Sequence, residues 1–284
     1  MPTIDLKRLQ AHRQSTYRLL PRARVKNPEQ ALEFVNDRGF IFFWPIAGVD
    51  LPSLWTATAG DRLVAEAHDD PGHVTWGWKD ESLEQRIWYY AKVLRRKATF
   101  ISLPIAPYFY ALTENYGSME EDHLIAYREG RLSLTAKQIY DTLLEKGSLN
   151  TIDLRKEARL IHAGDAVFNR GMEDLQRDFK VLPVGIAQAG AWRYAYRYDL
   201  TSRHFPDLAE QARPISEAEA RLKLTELLLH SVGALRNREV ASLFGWSKEI
   251  VERTAAGLLR GGKAAQGEHP GKPGTWLMLP ELSA

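Results

Sequence analysis

The 284-residue chain contains no cysteine. Structural disulfides and cysteine-ligated zinc sites are therefore excluded. It also lacks any apolar run near the roughly 18 to 20 residues that a membrane span requires, and its N-terminus carries no signal-peptide apolar core. A cytoplasmic, nucleoid-associated location is the expectation, with no membrane partner. An excess of one charge is missing too, since 38 Lys and Arg stand against 36 Asp and Glu, a formal net charge of +2. Such balance rules out an adhesive polycationic coat and leaves only local basic patches for a polyanion. An ordinary apolar fraction over this length allows the cores of two or three domains.

What is present is organised around Leu134 to Asp199. Thr135 to Lys146 places Ala136, Ile139, Tyr140, Leu143 and Leu144 on one helical face, and Gly147 supplies the stop. Thr151 is the expected cap of a second helix over Ile152 to Ala158, and a third is expected from about Asp165 to Phe179. Val181 to Ile186 and Trp192 to Tyr198 read as strands of a hairpin joined by Ala187 to Ala191. Helix, turn, helix, hairpin is the order of a winged helix, the small DNA-docking module whose third helix reads the groove.

The order recurs near the C-terminus. Ala218 to His230 is amphipathic, Asn237 to Phe244 supplies a short middle helix ended by Gly245, and Ser247 can cap Lys248 to Arg260. A second wing follows, with its tip at Gly267 to Gly274 and a return strand at Trp276 to Leu279. The expected fold class is α+β, mainly helical, with tandem winged-helix modules. Three domains are expected: an aromatic-rich one over residues 1–130, open to a winged-helix-like reading, then modules at 131–205 and 215–284. The intervening Thr201 to Ser216, with Pro206 and Pro214, reads as a linker.

The N-terminal region is less regular. Met1 to Lys26 is the most basic part of the chain, suited to a phosphate backbone or to packing on its own protein. Asn27 and Pro28 mark a helix start, running to Arg38 and closed by Gly39. Phe40 to Trp44 (FIFFW) is wholly apolar and ended by Pro45, which predicts a buried strand, and Leu51 to Ala59 predicts a helix ended by Gly60. Asp61 to Lys79 reads as irregular, holding His68, Asp69, Asp70 and His73 around Pro71-Gly72, then Trp76 and Trp78. Asp80 to about Lys97 predicts one long helix with Leu83, Ile87, Tyr90, Ala91 and Leu94 inside. Its terminal Arg95, Arg96 and Lys97 suit either the helix dipole or phosphate.

Tandem winged helices behind an aromatic N-terminal region resemble the AlkZ/YcaQ family of winged-helix DNA glycosylases, with local likeness over Phe34 to Leu54. The resemblance implies double-stranded DNA as partner, damaged DNA included, and removal of alkylated or crosslinked bases without a cofactor. In that family a strand after the glycine-ended helix bears Gln-x-Gln or Gln-x-Asp, which positions the attacking water. Here those two positions fall at Phe42 and Trp44, so the motif is absent.

Hydrolysis of an N-glycosidic bond needs a polar group to orient water, which Phe and Trp cannot supply. Phe42, Trp44 and Trp55 suit ordinary core or a base-stacking surface. Asp61 and Asp69 are the candidate relocated catalytic carboxylates. The His68-Asp69-Asp70-His73 group has the residue types of a divalent-cation site but no trusted ligand spacing, and no metal is expected. For DNA, the third helix of the first module carries Glu173, Asp174 and Asp178, acids that repel phosphate. The expected contacts are therefore Arg193 and Arg197 on one wing, Lys248, Arg253, Arg260, Lys263 and Lys272 in the C-terminal module, and Arg95, Arg96 and Lys97. A DNA-binding protein linked to damage recognition leads these readings. An active glycosylase with a relocated carboxylate stands as one alternative, and a winged-helix interaction scaffold or transcription regulator as another.

Overall fold

The computed structural model describes every residue except Ala65, His68, Ala191 and Trp192. The fold is a mixed one in which helices outweigh small three-stranded sheets. No described helix is long and apolar enough to cross a membrane. The chain divides into two compact units, one built from residues 1–78, 100–102 and 217–284, the other from 79–99 and 103–216.

In the second unit the helices Leu134–Lys146, Thr151–Glu157 and Asp165–Arg177 pack around Ile139, Leu143, Leu154, Phe168, Met172 and Leu175. Ser133 caps the first, and Asn150 caps the second by accepting from the amides of Ile152 and Asp153 at 3.0 and 3.1 Å. Asn150 rather than the expected Thr151 does so because Asn150 holds the extended backbone of an N-cap (φ −72°, ψ 162°), while Thr151 is already the first helical residue. Strands Leu149–Asn150, Ala195–Leu200 and Val181–Ala187 form a sheet with Ala195–Leu200 in the middle. Pro183 is tolerated in that ladder because the register shifts between Pro183 and Gly185, a bulge where no amide is needed. The return strand thus begins at Ala195, and Trp192, part of the expected strand, lies outside the described residues.

The first unit repeats this element order with Glu217–Val232, Ala234–Leu235, Asn237–Phe244, Lys248–Arg260, Ala265–His269 and Lys272–Met278. Lys272–Met278 is again central in its sheet. The hairpin is longer than expected, its strands running to His269 and from Lys272 so that only Pro270 and Gly271 turn.

The basic N-terminus packs on its own chain. Ile4 donates to the Glu268 carbonyl at 2.9 Å and Glu268 to that of Pro2 at 3.0 Å, which covers the outer edge of the second hairpin. The helix Leu6–Thr16 then caps the end of Glu217–Val232. His12 meets the His230 carbonyl at 2.9 Å, Thr16 donates to that of Ser231 at 2.7 Å, and Arg13 donates to that of Val232 at 2.8 Å. Last-turn carbonyls otherwise lack partners, which accounts for the basic side chains here.

Two expectations are corrected. Residues 80–97 are not one helix: Val74–Ser82 is helical, Trp88–Ala91 is a strand with all four residues buried, and Leu94–Arg96 is a 3-10 turn. Arg86, Arg95 and Arg96 take left-handed backbones (φ 55°, 52° and 56°), which no α-helix accommodates, and the Trp-Tyr-Tyr run favours a strand buried on both faces. Residues 201–216 are not a plain linker either. They hold short helices Thr201–His204 and Leu208–Ala212, anchored by burying Thr201, His204, Leu208 and Ala212.

Gly267 is required by the N-terminal segment that pairs with Glu268. A Cβ there would stand 2.8 Å from the Pro2 carbonyl oxygen and 2.8 Å from the Met278 sulfur. Gly267→Ala is expected to lower unfolding stability by about 1 to 3 kcal/mol, as overpacking does. Urea unfolding checks this, and an unchanged midpoint would contradict the close approach.

Candidate nucleic-acid interface

The apolar strand of the first unit is shorter than its sequence run, Phe40–Phe42, because the chain leaves the ladder before Trp44. It lies beside the 100–102 segment, with Ser102 donating to the Gly39 carbonyl at 2.8 Å. On its other side Phe42 donates to the Pro52 carbonyl at 3.0 Å and Trp55 to that of Phe43 at 3.1 Å. Ser53 caps the helix Leu54–Ala59 through the Thr56 amide at 3.1 Å, which turns Trp55 inward.

These constraints collect five rings. Trp44 lies 5.0 Å from Trp55, 4.6 Å from Phe43 and 5.9 Å from Trp76, and His73 is 5.4 Å from Trp55. Trp55 and Phe43 are buried, Trp44 is half-buried, and Trp76 is 38% exposed, so the cluster reaches solvent through two indoles. Gly72 permits the approach, since a Cβ there would sit 2.6 Å from the Trp55 ring. The Arg62 guanidinium lies over Trp55 at 5.0 Å and pairs with Asp70 at 2.5 Å. Asp70 also accepts the Gly72 amide at 2.7 Å. The hydrogen bond from Arg62 first, and that from Gly72 next, hold the Asp70 carboxyl below the usual range.

Of the residues expected in the motif positions, Phe42 is wholly buried and Trp44 lines the cluster. Asp61 and Asp69 are both exposed on the segment after Gly60 and make no hydrogen bond or ion pair among the described residues. His68 lies outside the described residues. No group of three or more His, Asp or Glu side chains among the described residues is placed to hold a metal ion. Asp70 and His73, from the same sequence group, are the members brought to the rings. The Asp-Pro-Gly spacing was the signal for Asp70, because an Asp carboxylate two residues before a glycine closes an Asx turn.

The cationic residues separate into neutralised and available sets. In the second unit Arg96 pairs with Asp174 at 2.6 Å, Lys92 with Glu173 at 2.8 Å and Arg177 with Asp178 at 2.8 Å. The acids on the Asp165–Arg177 helix thus have local partners, while Val167, Asn169 and Arg170 face solvent. Arg197 pairs with Glu84 at 2.6 Å, and Arg193 donates to Gln188 at 3.2 Å. Arg95 and Lys97 are exposed at the turn.

In the first unit Arg253 and Arg260 are exposed on Lys248–Arg260, seven residues apart and so on one face. Lys248 reaches Glu252 at 3.7 Å, and Lys263 pairs with Glu226 at 2.7 Å. The second hairpin holds the buried Trp276, whose ring has Arg236 at 4.8 Å, Lys272 at 5.8 Å and His269 at 4.9 Å. Burial first, then Lys272, push His269 below its ordinary value, so the imidazole is neutral at neutral pH.

A family model described as AlkZ related matches residues 25–245, and the chain belongs to that family. Among solved structures it is similar to the DNA glycosylase AlkZ of Streptomyces sahachiroi, with a TM-score of 0.61 over 98% of this chain and 71% of that one. Sequence identity is 12%, so the likeness is one of fold. No curated protein sequence matches.

The Asp70 carboxyl should titrate below the usual carboxylate range by side-chain NMR. Its folded pKa is depressed, so the pairing is complete above the ordinary range and is lost as pH falls through the folded value. Arg62→Gln should move that titration upward. An unmoved titration would remove the ion pair as its cause.

Proposed function

We propose that the protein binds double-stranded DNA through two winged-helix modules, over residues 131–205 and 215–284, and recognises damaged or unpaired bases by stacking rather than by hydrolysis. One observation carries the reading. Where the family resemblance assigns water-handling polar side chains, this chain has buried Phe42 and the half-buried Trp44, within a cluster that opens to solvent at Trp76. A flat aromatic surface holds any base by its π face, at roughly 1 to 3 kcal/mol per base. Phosphate contact is assigned to Arg253 and Arg260 with Lys272 on the second wing. Membership of an AlkZ-related family, and a fold like that of a DNA glycosylase, support a role in DNA repair.

An active glycosylase is the second reading, favoured by Asp70. This carboxylate stays ionised beside the rings and has acceptor capacity beyond its two donors. Release of alkylated bases by the wild type, lost in Asp70→Asn, would establish it.

Fluorescence titration with plain, nicked and abasic duplexes at several salt concentrations tests the first reading. Arg253→Ala and Arg260→Ala should each reduce the slope of log affinity on log salt by roughly 0.9. Trp76→Ala should leave that slope intact but reduce the preference for abasic over plain duplex by about tenfold. A salt-independent affinity would refute DNA binding, and an unchanged preference would refute the stacking role.

A further inference from the structure

A cleft of about 250 Å³ opens within the second unit, and its lining combines opposite charges with an aromatic wall. The Tyr89 ring is fully buried, stacked 4.3 Å from Phe179 and 5.8 Å from Phe205. Its hydroxyl is 3.3 Å from that of Thr201, and the half-buried Phe205 in front of it is the ring open to a ligand. His204 is nearly buried and hydrogen-bonded to the backbone of Leu83. Burial first, then the charge of Arg86, hold its imidazole below the ordinary value, leaving it neutral at neutral pH. Arg86, Asp207 and Gln211 are exposed at the mouth. Arg86 makes no hydrogen bond or ion pair among the described residues.

The charge pattern selects the ligand. A phosphate group would meet the Asp207 carboxylate as well as the Arg86 guanidinium, and an aliphatic anion would leave the rings unused. A neutral flat heterocycle with an acceptor edge for the guanidinium and an N–H edge for the carboxylate satisfies all three. Guanine has that pattern, with O6 and N7 as acceptors and N–H donors on the neighbouring edge. Adenine places an amino donor where guanine has O6 and would confront Arg86. The volume lies just below the roughly 300 to 1,000 Å³ of sites for drug-sized molecules, which suits one base with its sugar outside.

We propose that this cleft binds a guanine base, with Arg86 donating to its O6/N7 edge, Asp207 accepting from its N–H edge, and Phe205 against its face. The site does not depend on the DNA-binding reading. Calorimetric titration of the full chain with guanosine, adenosine, guanosine monophosphate and inorganic phosphate tests it. Guanosine should bind, with adenosine at least about tenfold weaker and the monophosphate within about threefold of guanosine. Arg86→Asn keeps a residue tolerant of the left-handed backbone at φ 55° while removing the guanidinium. It should weaken guanosine about tenfold, as should Asp207→Asn, with unchanged thermal midpoints and an unchanged salt slope for DNA. Equal affinity for adenosine and guanosine would overturn the proposal, as would no guanosine binding at millimolar concentration. Binding of inorganic phosphate in competition with guanosine would overturn it in favour of an anion site.

Discussion

Between the carbonyl of Pro52 and the amide of Ser102 runs a short apolar strand whose backbone is bonded on both sides, and the first unit is arranged about it. Phe42 donates to one neighbour while Gly39 accepts from the other, so the strand cannot shift register without breaking both. Pinning it fixes Trp44, the residue just beyond, against Trp55 and Trp76. The same strand meets the C-terminal repeat through Phe40, whose ring lies 5.9 Å from Phe244, itself stacked 4.3 Å from Trp246. Packing of both ends of the chain in one unit follows from these contacts and from the N-terminal segment paired with Glu268.

Electrostatics divides the basic residues by partner rather than by number. Local pairing cancels part of the positive field, as with Lys92 and Arg96, which face Glu173 and Asp174. Exposed ion pairs of this kind contribute little stability, about 0 to 1 kcal/mol each, but they decide which surface keeps a positive field. Arg253 and Arg260 keep theirs, and on the proposed reading that is what a phosphate backbone would meet.

Local chemistry made much of the fold legible in the sequence. Asn27, Ser247, Gly39, Gly60, Gly147 and Gly245 end or begin helices where cap preferences place them. The element order of both repeats was readable from hydrophobic period and turn residues. Residues 80–97 were not, because Leu83, Ile87, Tyr90 and Leu94 satisfy a helical spacing while Trp88 to Ala91 are buried on both faces. Nothing local announces that Arg86, Arg95 and Arg96 adopt left-handed backbones. The aromatic cluster was partly visible as residue types, but the pairing of Arg62 with Asp70 depends on a loop closure that no periodicity encodes. Residue type alone points to Asp61 and Asp69, whereas Asp70 is the acid that the turn holds in place.

On the proposed reading, an aromatic surface stands where relatives keep water-handling side chains. The most direct test is a single-turnover experiment with a duplex carrying one 7-methylguanine, following tryptophan emission and base release together. Tryptophan emission should be quenched on binding, with base loss no faster than in the duplex alone. Release above that background, or binding without quenching, would contradict that reading.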